Sequence, residues 1–528
     1  MDLPPGFPPG HGPGPLHLPG PGPGLDPALG PKERSPRTGK GRDQGHDGPG
    51  PGTLEKTGGL EVKGELSGAR VLLLGLGRFG GGAGALRFLV RRGAKVRVTD
   101  LRRAEQLAPT LEASSDLDFE TVLGGHPPSV LEGVDLVVVN PAVPPSAPIR
   151  LEIRRRGIPE TSELGLFLER CPAPVTAISG TNGKSTTTAM TAAVFEAARF
   201  RTFLGGNLGT SLLPGLEEIG PTDRVVLEVS SFQADLLPPG PWFRTLLFTY
   251  VGVDHLDRYG APAAYRESKK RMLSFLAPGG ALVVSREDPV SGSWEAPPGT
   301  RKVTYGRDLP EPGHLGMREK ILVSALSGRE EPILPAREIP LLGRFQAMNA
   351  LAAAGAGILG GAPAGSAARA LREFPGLEHR LQPLGRIGKV LVIDNGVSTA
   401  PETTVSALEA LEEMDPAPGP IHLVCGGKSK GAPLDALAAA AAGKTATVHL
   451  FGRAGPDLAA ALGKKMPLYR ATLSRALEEA LEKALAAAVP EGTLLFSPAF
   501  SSFDAYLNFR QRAQAFRKWA RSRGLKPL

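Results

Sequence analysis

The stretch AISGTNGKSTTT, residues 177–188, is the most informative part of this 528-residue chain. Its first residues are apolar and typical of a buried strand, its middle is a glycine-rich turn, and helical character begins at Lys184. Small residues let backbone N–H groups converge on phosphate oxygens, and the start of a helix adds a favourable dipole. Ile178 stands where the usual Walker A spacing has its first glycine. The stretch therefore predicts a nucleotide-phosphate turn, with a generic strand–helix turn as the alternative.

A second glycine turn precedes it, in VLLLGLGRFG at residues 71–80. The apolar run leads into Gly75-x-Gly77-x-x-Gly80, and Asp100 ends the next apolar run. Taken alone, this pattern is typical of a dinucleotide-binding βαβ unit, with the acid on a ribose. The glycines continue at residues 81, 82 and 84, a looser pattern than most such fingerprints, which the sequence explains only as room for a bound ligand.

Short apolar runs alternate with helical stretches in three successive blocks, which predicts an α/β protein of three domains. We expect a Rossmann-like N-terminal domain over 65–172, a central P-loop ATPase-like domain over 173–372 and a C-terminal Rossmann-like domain over 373–528. Residues 1–64 are dominated by proline and glycine without apolar periodicity, so we predict a disordered tail there.

Composition narrows the class of protein. The net charge of +8 is spread along the chain without a basic run interleaved with aromatic residues, so nucleic acid is not an expected partner. The two cysteines lack metal-ligand spacing and fit a reducing compartment. No signal segment or apolar run of about 18 residues is present, so we expect a cytoplasmic monomer without a membrane span.

Acidic residues follow two of the central strand-like runs. Glu228 ends the apolar part of VVLEVSSFQ. The run RTLLFTYVGVDH, residues 244–255, predicts a further strand that reaches His255, which VGVDHLDRYG places between Asp254 and Asp257. Carboxylates at strand ends are common metal ligands in sites of phosphoryl transfer. The pattern predicts that this edge of the central sheet binds Mg²⁺ together with a nucleotide.

Seven motifs in one order carry a family resemblance over roughly residues 68–520: SGTNGKST, GGNLGTSL, LEVSSFQ, DHLDRYG, MNALAA, GLEHRLQ and SPAFSSFDAYLNF. Together they resemble the Mur ligase superfamily, and LEVSSFQ, DHLDRYG and the last motif resemble its D-glutamate-adding branch. The resemblance implies a ligase of cytoplasmic peptidoglycan-precursor synthesis, and hence of cell-wall biogenesis, cell shape and the cell division cycle. In the implied reaction ATP phosphorylates the L-alanyl carboxylate of UDP-N-acetylmuramoyl-L-alanine. The amine of D-glutamate then attacks the acyl phosphate.

The resemblance also implies roles for residues at matching positions. The implied catalytic residues are Lys184, His255 and Lys269. The implied ATP-binding residues are Gly180, Thr181, Asn182, Gly183, Lys184, Ser185, Thr186, Asn349 and Arg380. The implied ligands of two Mg²⁺ ions are Ser185, Glu228, His255 and a carbamylated Lys269. The implied substrate-binding residues are Gly77, Asp100, Arg102, Asn207, Ser230, Gln233, Thr399, Lys430, Ser502 and Phe509.

The third block departs from the resemblance in DNGVSTAPE, residues 394–402, where the branch often reads NDSKATN. Asn395 stands at the usual aspartate and Val397 at the lysine, and Gln346 stands where asparagine is common. Four alternatives stay open: a relative with another amino-acid preference, a folylpolyglutamate synthase-like ligase, a nicotinamide-dependent dehydrogenase and a non-catalytic nucleotide-binding protein. The DNPR motif of the diaminopimelate-adding relative does not occur.

Overall fold

The computed structural model of the chain describes residues 66–528 except 78, 79, 209, 210, 309, 415, 416 and 430. The predicted disordered tail over 1–64 and the candidate Lys430 therefore lie outside the described residues. Internal contacts divide the chain into two compact units between Arg170 and Cys171. The predicted domain boundaries at 172 and 372 stay predictions.

The N-terminal unit is built on a five-stranded sheet in the order β3-β2-β1-β4-β5, and all of its strands are parallel. This strand order reverses beside β1, and the crevice at such a switch point is where doubly wound sheets bind ligands. Its elements are β1 (Arg70–Leu74), α1 (Gly81–Arg91), β2 (Lys95–Asp100), α2 (Ala104–Glu112), β3 (Glu120–Leu123), β4 (Leu136–Val139), α3 (Pro148–Arg155), β5 (Glu160–Thr161) and α4 (Glu163–Leu168).

The dense glycines after β1 now have a partial physical explanation. A Cβ added to Gly82 would lie 2.0 Å from the backbone oxygen of Leu76, whereas one added to Gly81 would meet nothing within 4 Å. Helix α1 can therefore start directly against the β1 turn only because Gly82 has no side chain.

The central part forms a nine-stranded sheet in the order β14-β13-β12-β11-β10-β9-β6-β8-β7. Pairing is parallel from β7 to β12 and antiparallel where β13 and β14 extend the edge. Its elements are β6 (Val175–Ser179), α5 (Lys184–Ala197), β7 (Thr202–Gly206), β8 (Arg224–Glu228), α6 (Ser231–Ala234), β9 (Phe243–Phe248), α7 (Leu256–Tyr259), α8 (Pro262–Lys270), β10 (Leu276–Ser285), β11 (Arg301–Tyr305), β12 (Leu315–Arg318), β13 (Ile321–Ser324), β14 (Glu331–Pro335), α9 (Phe345–Leu359) and α10 (Ala364–Glu373).

Two features of this sheet differ from the sequence-based expectation. The strand expected to run as far as His255 ends at Phe248, because Tyr250 instead pairs with Asn182 of the glycine turn in an isolated antiparallel bridge. Strands β11 to β14 were not predicted, since each has only four or five residues. In addition, β12 contains Gly316, and β14 contains Pro332 and Pro335.

The central core depends on close approach between α5 and α9. All alanines from Ala350 to Ala354 are fully buried, and a Cβ on Gly357 would lie 2.3 Å from Cγ1 of Val194. The small side chains of α9 bring its backbone against α5, the helix that begins at the glycine turn.

The C-terminal part contains a six-stranded sheet in the order β15-β16-β20-β17-β18-β19, parallel except for the β15–β16 pair. Its elements are β15 (Gln382–Ile387), β16 (Val390–Asp394), α11 (Pro401–Glu412), β17 (Ile421–Gly426), α12 (Asp435–Lys444), β18 (Thr447–Phe451), α13 (Gly455–Gly463), β19 (Ala471–Leu473), α14 (Leu477–Ala488), β20 (Thr493–Ala499) and α15 (Phe509–Ser522). The predicted three α/β blocks are confirmed by these three sheets.

Both cysteines, Cys171 and Cys425, are free. Among the described residues, no helix combines the length and apolar character needed to cross a membrane.

Gly82→Ala should lower the free energy of unfolding of the N-terminal unit by about 2–3 kcal/mol, because the added methyl overlaps the Leu76 carbonyl. Amide hydrogen exchange of β1 and β4 in increasing urea would report that unit separately from the rest of the chain. Gly81→Ala is the matched control and should shift stability by less than about 1 kcal/mol. Equal effects of the two substitutions would contradict the packing argument.

Candidate functional site

The glycine turn between β6 and α5 has backbone geometry that only glycine accommodates. Gly180 has φ 141° and Gly183 has φ 85°. A Cβ at Gly180 would lie 2.1 Å from Oγ1 of Thr249, and one at Gly183 would lie 2.6 Å from Oδ1 of Asn349. The turn is therefore held between the end of β9 and helix α9, with the N-terminus of α5 behind it.

Lys184, the first residue of α5, folds back onto this turn. Its Nζ donates to the backbone oxygen of Thr181 at 2.8 Å. Burial lowers the pKa of Lys184, while the carboxylates of Glu228 and Asp254 act in the opposite direction. The ammonium group of Lys184 is thus hydrogen-bonded to the Thr181 carbonyl, and a bound phosphate could replace that carbonyl as its acceptor.

Glu228 is the carboxylate at the centre of the site. It lies at the end of β8 with 2% exposure, and its Oε1 accepts from Nδ2 of Asn207 at 2.7 Å. Its Oε2 is buried and has no hydrogen-bond partner among the described residues. Because a buried carboxylate oxygen without a partner is costly, Oε2 fits a position that a cation completes.

Lys269 of α8 is buried with 1% exposure, although its neighbour Lys270 is exposed. Its Nζ donates to the backbone oxygen of Gly180 at 2.8 Å and lies 4.9 Å from the centre of the Tyr265 ring. Burial, assisted by the positive charge of Lys184, lowers the pKa of Lys269 well below its usual range. The amine of Lys269 is therefore biased toward its neutral, nucleophilic form.

His255 lies beyond β9 in the segment that leads to α7. Its backbone has φ 51°, and its ring centre lies 4.6 Å from that of Phe232 and 6.2 Å from that of Tyr265. Nε2 lies 3.5 Å from Oδ2 of Asp254. The ring is partly exposed beside the Lys269 helix, and the side chain of Asp257 lies outside the described part of the chain.

Arg380 brings the third block to the glycine turn. Its Nη2 donates to Oγ of Ser185 at 2.9 Å. Burial lowers its pKa and Glu228 acts in the opposite direction, whereas its Nε has no partner among the described residues. The charge of Glu228 therefore stabilises the charged form of Arg380, as it does for the two lysines.

The turn that carries Arg380 is held on both sides. His379 and Leu381 have φ of 63° and 47°, values that non-glycine residues adopt only when neighbours stabilise them. His379 Nδ1 lies 2.7 Å from Oδ2 of Asp394, and the backbone N of Leu381 donates to Oδ1 of Asn395 at 3.1 Å. Asn395, which differs from the family pattern, and its neighbour Asp394 thus support the turn that carries Arg380.

A charged network extends this support into the last helix. Arg517 donates through Nε to Oδ2 of the fully buried Asp394 at 2.7 Å. It also donates to Glu378 at 3.0 Å and to Gln382 at 2.5 Å. Neither His379 nor Arg517 was predicted as a site residue; the adjacency of His379 to Arg380 was the only signal in the sequence.

Other candidate residues of the central part lie at the same edge of the sheet. The side-chain amide of Asn349 donates from Nδ2 to Oε1 of Gln346 at 3.0 Å. Ser230 and Gln233 form a reciprocal cap at the start of α6, with the Gln233 N–H donating to Ser230 Oγ and the Ser230 N–H donating to Gln233 Oε1. In this structure those polar atoms stabilise a helix start directly after Glu228.

The candidates near the C-terminus surround a buried arginine. Arg512, which is fully buried, donates to the backbone oxygens of Gly426, Phe500 and Ser398. Ser398 directly precedes the candidate Thr399, and Phe500 lies two residues before the candidate Ser502. Gly426 ends β17, the strand that precedes the candidate Lys430, which is itself outside the described residues. Phe509 begins the same helix α15 and is half-buried. Sequence analysis missed Arg512, whose signal was a basic residue on an otherwise buried helical face.

The glycine turn of the N-terminal unit is a separate candidate site. Asp100, with 2% exposure, accepts from the backbone N–H of Gly77 at 3.2 Å and of Arg102 at 2.9 Å. A Cβ at Gly75 would lie 2.9 Å from Cβ of Asn140, which follows β4. The switch point between β1 and β4 is thus bordered by the glycine turn, Asp100 and Asn140, an additional candidate.

Three family models match successive parts of this chain. The Mur ligase MurD-like N-terminal domain matches residues 69–161, the Mur ligase middle domain matches 178–357, and the Mur ligase glutamate ligase domain matches 379–500. All three belong to one family of proteins and occur in the expected order.

Relatives resemble the chain over nearly their whole length. A UDP-N-acetylmuramoylalanine--D-glutamate ligase from Symbiobacterium thermophilum is 35% identical over 82% of this chain and 94% of that protein. A protein of the same name from Pelotomaculum thermopropionicum is 34% identical over 85% of this chain and 96% of that protein.

Solved structures share the fold at lower identity. The UDP-N-acetylmuramate-alanine ligase MurC from Thermotoga maritima has a TM-score of 0.56 at 22% identity, covering 86% of this chain and 99% of that one. MurF from Acinetobacter baumannii has a TM-score of 0.55 at 16% identity, covering 86% and 92%. These likenesses concern the fold.

Arg517→Met should lower the free energy of unfolding by about 3 kcal/mol, because it removes a charged partner from the buried Asp394. Urea unfolding of the purified protein would measure the loss. Lys518→Met on the same helix removes an exposed charge and should change stability by less than about 0.5 kcal/mol. A loss no larger than that of the control would show that Asp394 does not depend on Arg517.

Proposed function

The chain belongs to the Mur ligase family, and from this premise we propose that it joins D-glutamate to UDP-N-acetylmuramoyl-L-alanine with hydrolysis of ATP to ADP and phosphate. It is an ATP-dependent ligase of peptidoglycan-precursor synthesis, as its relatives are. This membership decides against a nicotinamide-dependent dehydrogenase built on residues 71–150. Both nucleotide substrates are metabolites of the cytoplasm, where we place the reaction.

One observation carries the proposal at the level of chemistry. Lys184, Lys269 and Arg380 come from three distant parts of the chain, and all three donate hydrogen bonds to the glycine turn or the first turn of α5. Cations collected around a phosphate-type turn suit a reaction in which negative charge builds up on a transferred phosphoryl group.

The proposed reaction has two chemical steps. An oxygen of the alanyl carboxylate bonds to the γ-phosphorus of ATP as the bond to the β–γ bridging oxygen breaks and ADP leaves. The nitrogen of D-glutamate then bonds to the acyl carbon, the carbon–oxygen bond to phosphate breaks, and the amine loses a proton. The chain would orient both steps: Lys184 and the turn hold the phosphates, while Arg380 brings the C-terminal part over them and limits access of water to the acyl phosphate.

The residues present fit Mg²⁺. The unpartnered Oε2 of Glu228 and the hydroxyl of Ser185 are oxygen donors of the kind that Mg²⁺ prefers, with substrate phosphates completing its coordination. Among the described residues no cluster of three or more His, Cys, Asp or Glu side chains forms a ready-made metal site. When bound, Mg²⁺ would neutralise phosphate charge, and we propose Ser185 and Glu228 for one ion and His255 for a second.

Lys269 fits the carbamylation that the family resemblance implies. The ammonium form of Lys269 loses one proton to become a neutral amine, whose nitrogen can then bond to the carbon of CO₂ with loss of a second proton. The two steps together replace a cation by an anion. The product would relieve the repulsion between Lys269 and Lys184 and provide a carboxylate-like ligand for the second ion. We therefore propose Lys269 carbamate as part of the loaded site.

The substrate ends are assigned to the remaining candidates. We propose that Gly77, Asp100 and Arg102 of the N-terminal unit bind the uridine diphosphate group. We propose Asn207, Ser230 and Gln233 for the muramoyl-alanine part. We propose Thr399, Lys430, Ser502 and Phe509 for D-glutamate.

Phosphate release should require both UDP-N-acetylmuramoyl-L-alanine and an amino acid, and should favour D-glutamate. We expect kcat/KM for D-glutamate to exceed that for L-glutamate, D-aspartate or a diamino acid by about 100-fold or more. A site that pairs both carboxylates at the spacing and configuration of D-glutamate would leave a buried polar group unpaired with each of the others. A panel of amino acids with coupled detection of ADP and phosphate measures this. ATP turnover with a different amino acid would reassign the specificity, and no turnover with any would refute the ligase.

Lys269→Ala should lower kcat by about 100-fold or more, because it removes a buried group beside the phosphate turn. Short carboxylic acids should restore part of the activity if the lost group is a carbamate. Lys270→Ala removes the exposed neighbour and should keep wild-type activity. Undiminished activity of Lys269→Ala, or a loss that no carboxylic acid relieves, would argue against the carbamate.

A further inference from the structure

Helix α15 presents one face to the turn that carries Arg380. Arg510, Ala513 and Arg517 are spaced three and four residues apart and so lie along one side of the helix. Arg517 contacts Glu378 and Asp394, as described above. Ala513 packs against the segment that follows β16. A Cβ added to Gly396 in that segment would lie 2.5 Å from the Cβ of Ala513. Arg510 occupies the N-terminal end of this packed face.

Arg510 is half-buried, and part of its guanidinium group lacks a hydrogen-bond acceptor among the described residues. Its Nη2 is buried and has no hydrogen-bond partner among the described residues, and the same holds for Nε of Arg380. Unpaired, buried N–H groups of a guanidinium are costly, because each has lost its water without gaining an acceptor. Two such groups on neighbouring arginines therefore require an explanation.

The charges around Arg510 indicate which kind of partner is missing. Burial lowers the pKa of Arg510; the nearby carboxylate of Glu378 acts against this, and the positive charge of Arg380 reinforces it. Glu378 also accepts a hydrogen bond from Arg517, so its single charge is shared. Three arginines, Arg380, Arg510 and Arg517, thus share the two carboxylates of Glu378 and Asp394.

We propose that Arg510 and Arg380 together bind the terminal phosphoryl group of ATP, with Arg510 as a further catalytic residue of this ligase. The inference rests on the proposed use of ATP and extends it to a residue outside all the motifs that predicted the site. Arg380 is anchored at the glycine turn by Ser185, so an anion held there has Arg380 at its side. Oxygens of a terminal phosphoryl group would accept from the free N–H groups of both arginines.

This arrangement makes a distinction between nucleotides. ADP lacks the group that the two arginines are proposed to share, so Arg510 should matter for ATP and hardly at all for ADP. Arg510 lies on the C-terminal part of the chain, as Arg380 does. Positive charge would therefore reach the transferred group when α15 and its turn lie over the phosphates, as a fixed arginine stabilises charge that develops in phosphoryl transfer.

The test compares nucleotide binding and turnover in the full-length protein with Mg²⁺. Arg510→Met should weaken binding of a non-hydrolysable ATP analogue by about tenfold and lower kcat by about 10- to 100-fold, because a charge-assisted contact to the terminal phosphate is lost. Binding of ADP should change by less than about twofold, and the KM for D-glutamate should stay near the wild-type value. Titration calorimetry and the phosphate-release assay give these quantities.

Matched variants separate charge from structure. Arg521→Met makes the same change at an exposed position of α15 and should alter none of these values. Arg510→Lys should recover part of the analogue affinity, because it keeps the charge. Should Arg510→Met not fold, Arg510→Gln against Arg510→Lys provides the same comparison.

Three results would overturn the inference: equal losses for ADP and the ATP analogue, an increase in the KM for D-glutamate alone, or no change in analogue binding and kcat. Failure of the proposed function is a separate result. A wild-type protein that releases no phosphate from the two substrates and ATP would refute the ligase. A loss of analogue affinity without loss of ADP affinity would still support the arginine pair.

Discussion

The site depends on charge that has been removed from water: Lys184, Lys269 and Arg380 are desolvated around the buried carboxylate of Glu228. Asp254, which also acts on both lysines, is partly exposed. Removing several cations from water is unfavourable unless anions or dipoles replace the water. Here the backbone replaces part of it, since carbonyl oxygens of the glycine turn accept from both lysines. Phosphate groups bound at this turn would offset the remaining positive charge, which favours binding of a nucleotide.

The scaffold explains how such a cluster can exist at all. Strands β6, β8 and β9 are adjacent and parallel, so the residues that follow them meet at one edge of the sheet. Glycines at 180 and 183 remove the side chains that would separate this edge from Thr249 and Asn349. The alanine-rich face of α9 then packs against α5, which keeps the turn, the helix dipole and Asn349 in register. Close packing thus supports the electrostatics.

The sequence predicted features that lie within one short segment, but it left open the contacts between segments that are distant in the chain. The strand–turn–helix at residues 175–197 was predictable because the glycines and Lys184 lie in one short motif. Burial of Lys269 rather than Lys270 was predictable in principle, because Tyr265, Ser268, Lys269 and Met272 share one helical face and are all buried. The contact between Arg380 and Ser185 joins segments 195 residues apart, and no periodicity encodes it. Only the family resemblance suggested this contact. Apolar runs can also overstate the length of a strand, since the run that reaches His255 forms a strand only as far as Phe248.

The DNGVST segment shows why motif comparison at single positions misjudges a site. By position, Asn395 replaces an acid and Val397 replaces a lysine, which suggests a weakened site. In the fold, Asn395 Oδ1 accepts from the Leu381 N–H while its Nδ2 donates to Ser497, so the amide holds the Arg380 turn to the end of β20. More than one segment likewise contributes charge to this region, because α15 returns from the far end of the chain and contacts Glu378 through Arg517. Arg510 lies on the same side of α15, where burial and the charge of Arg380 lower its pKa. A cation absent from one loop can therefore be supplied from another element, as long as packing fixes that element against the same turn.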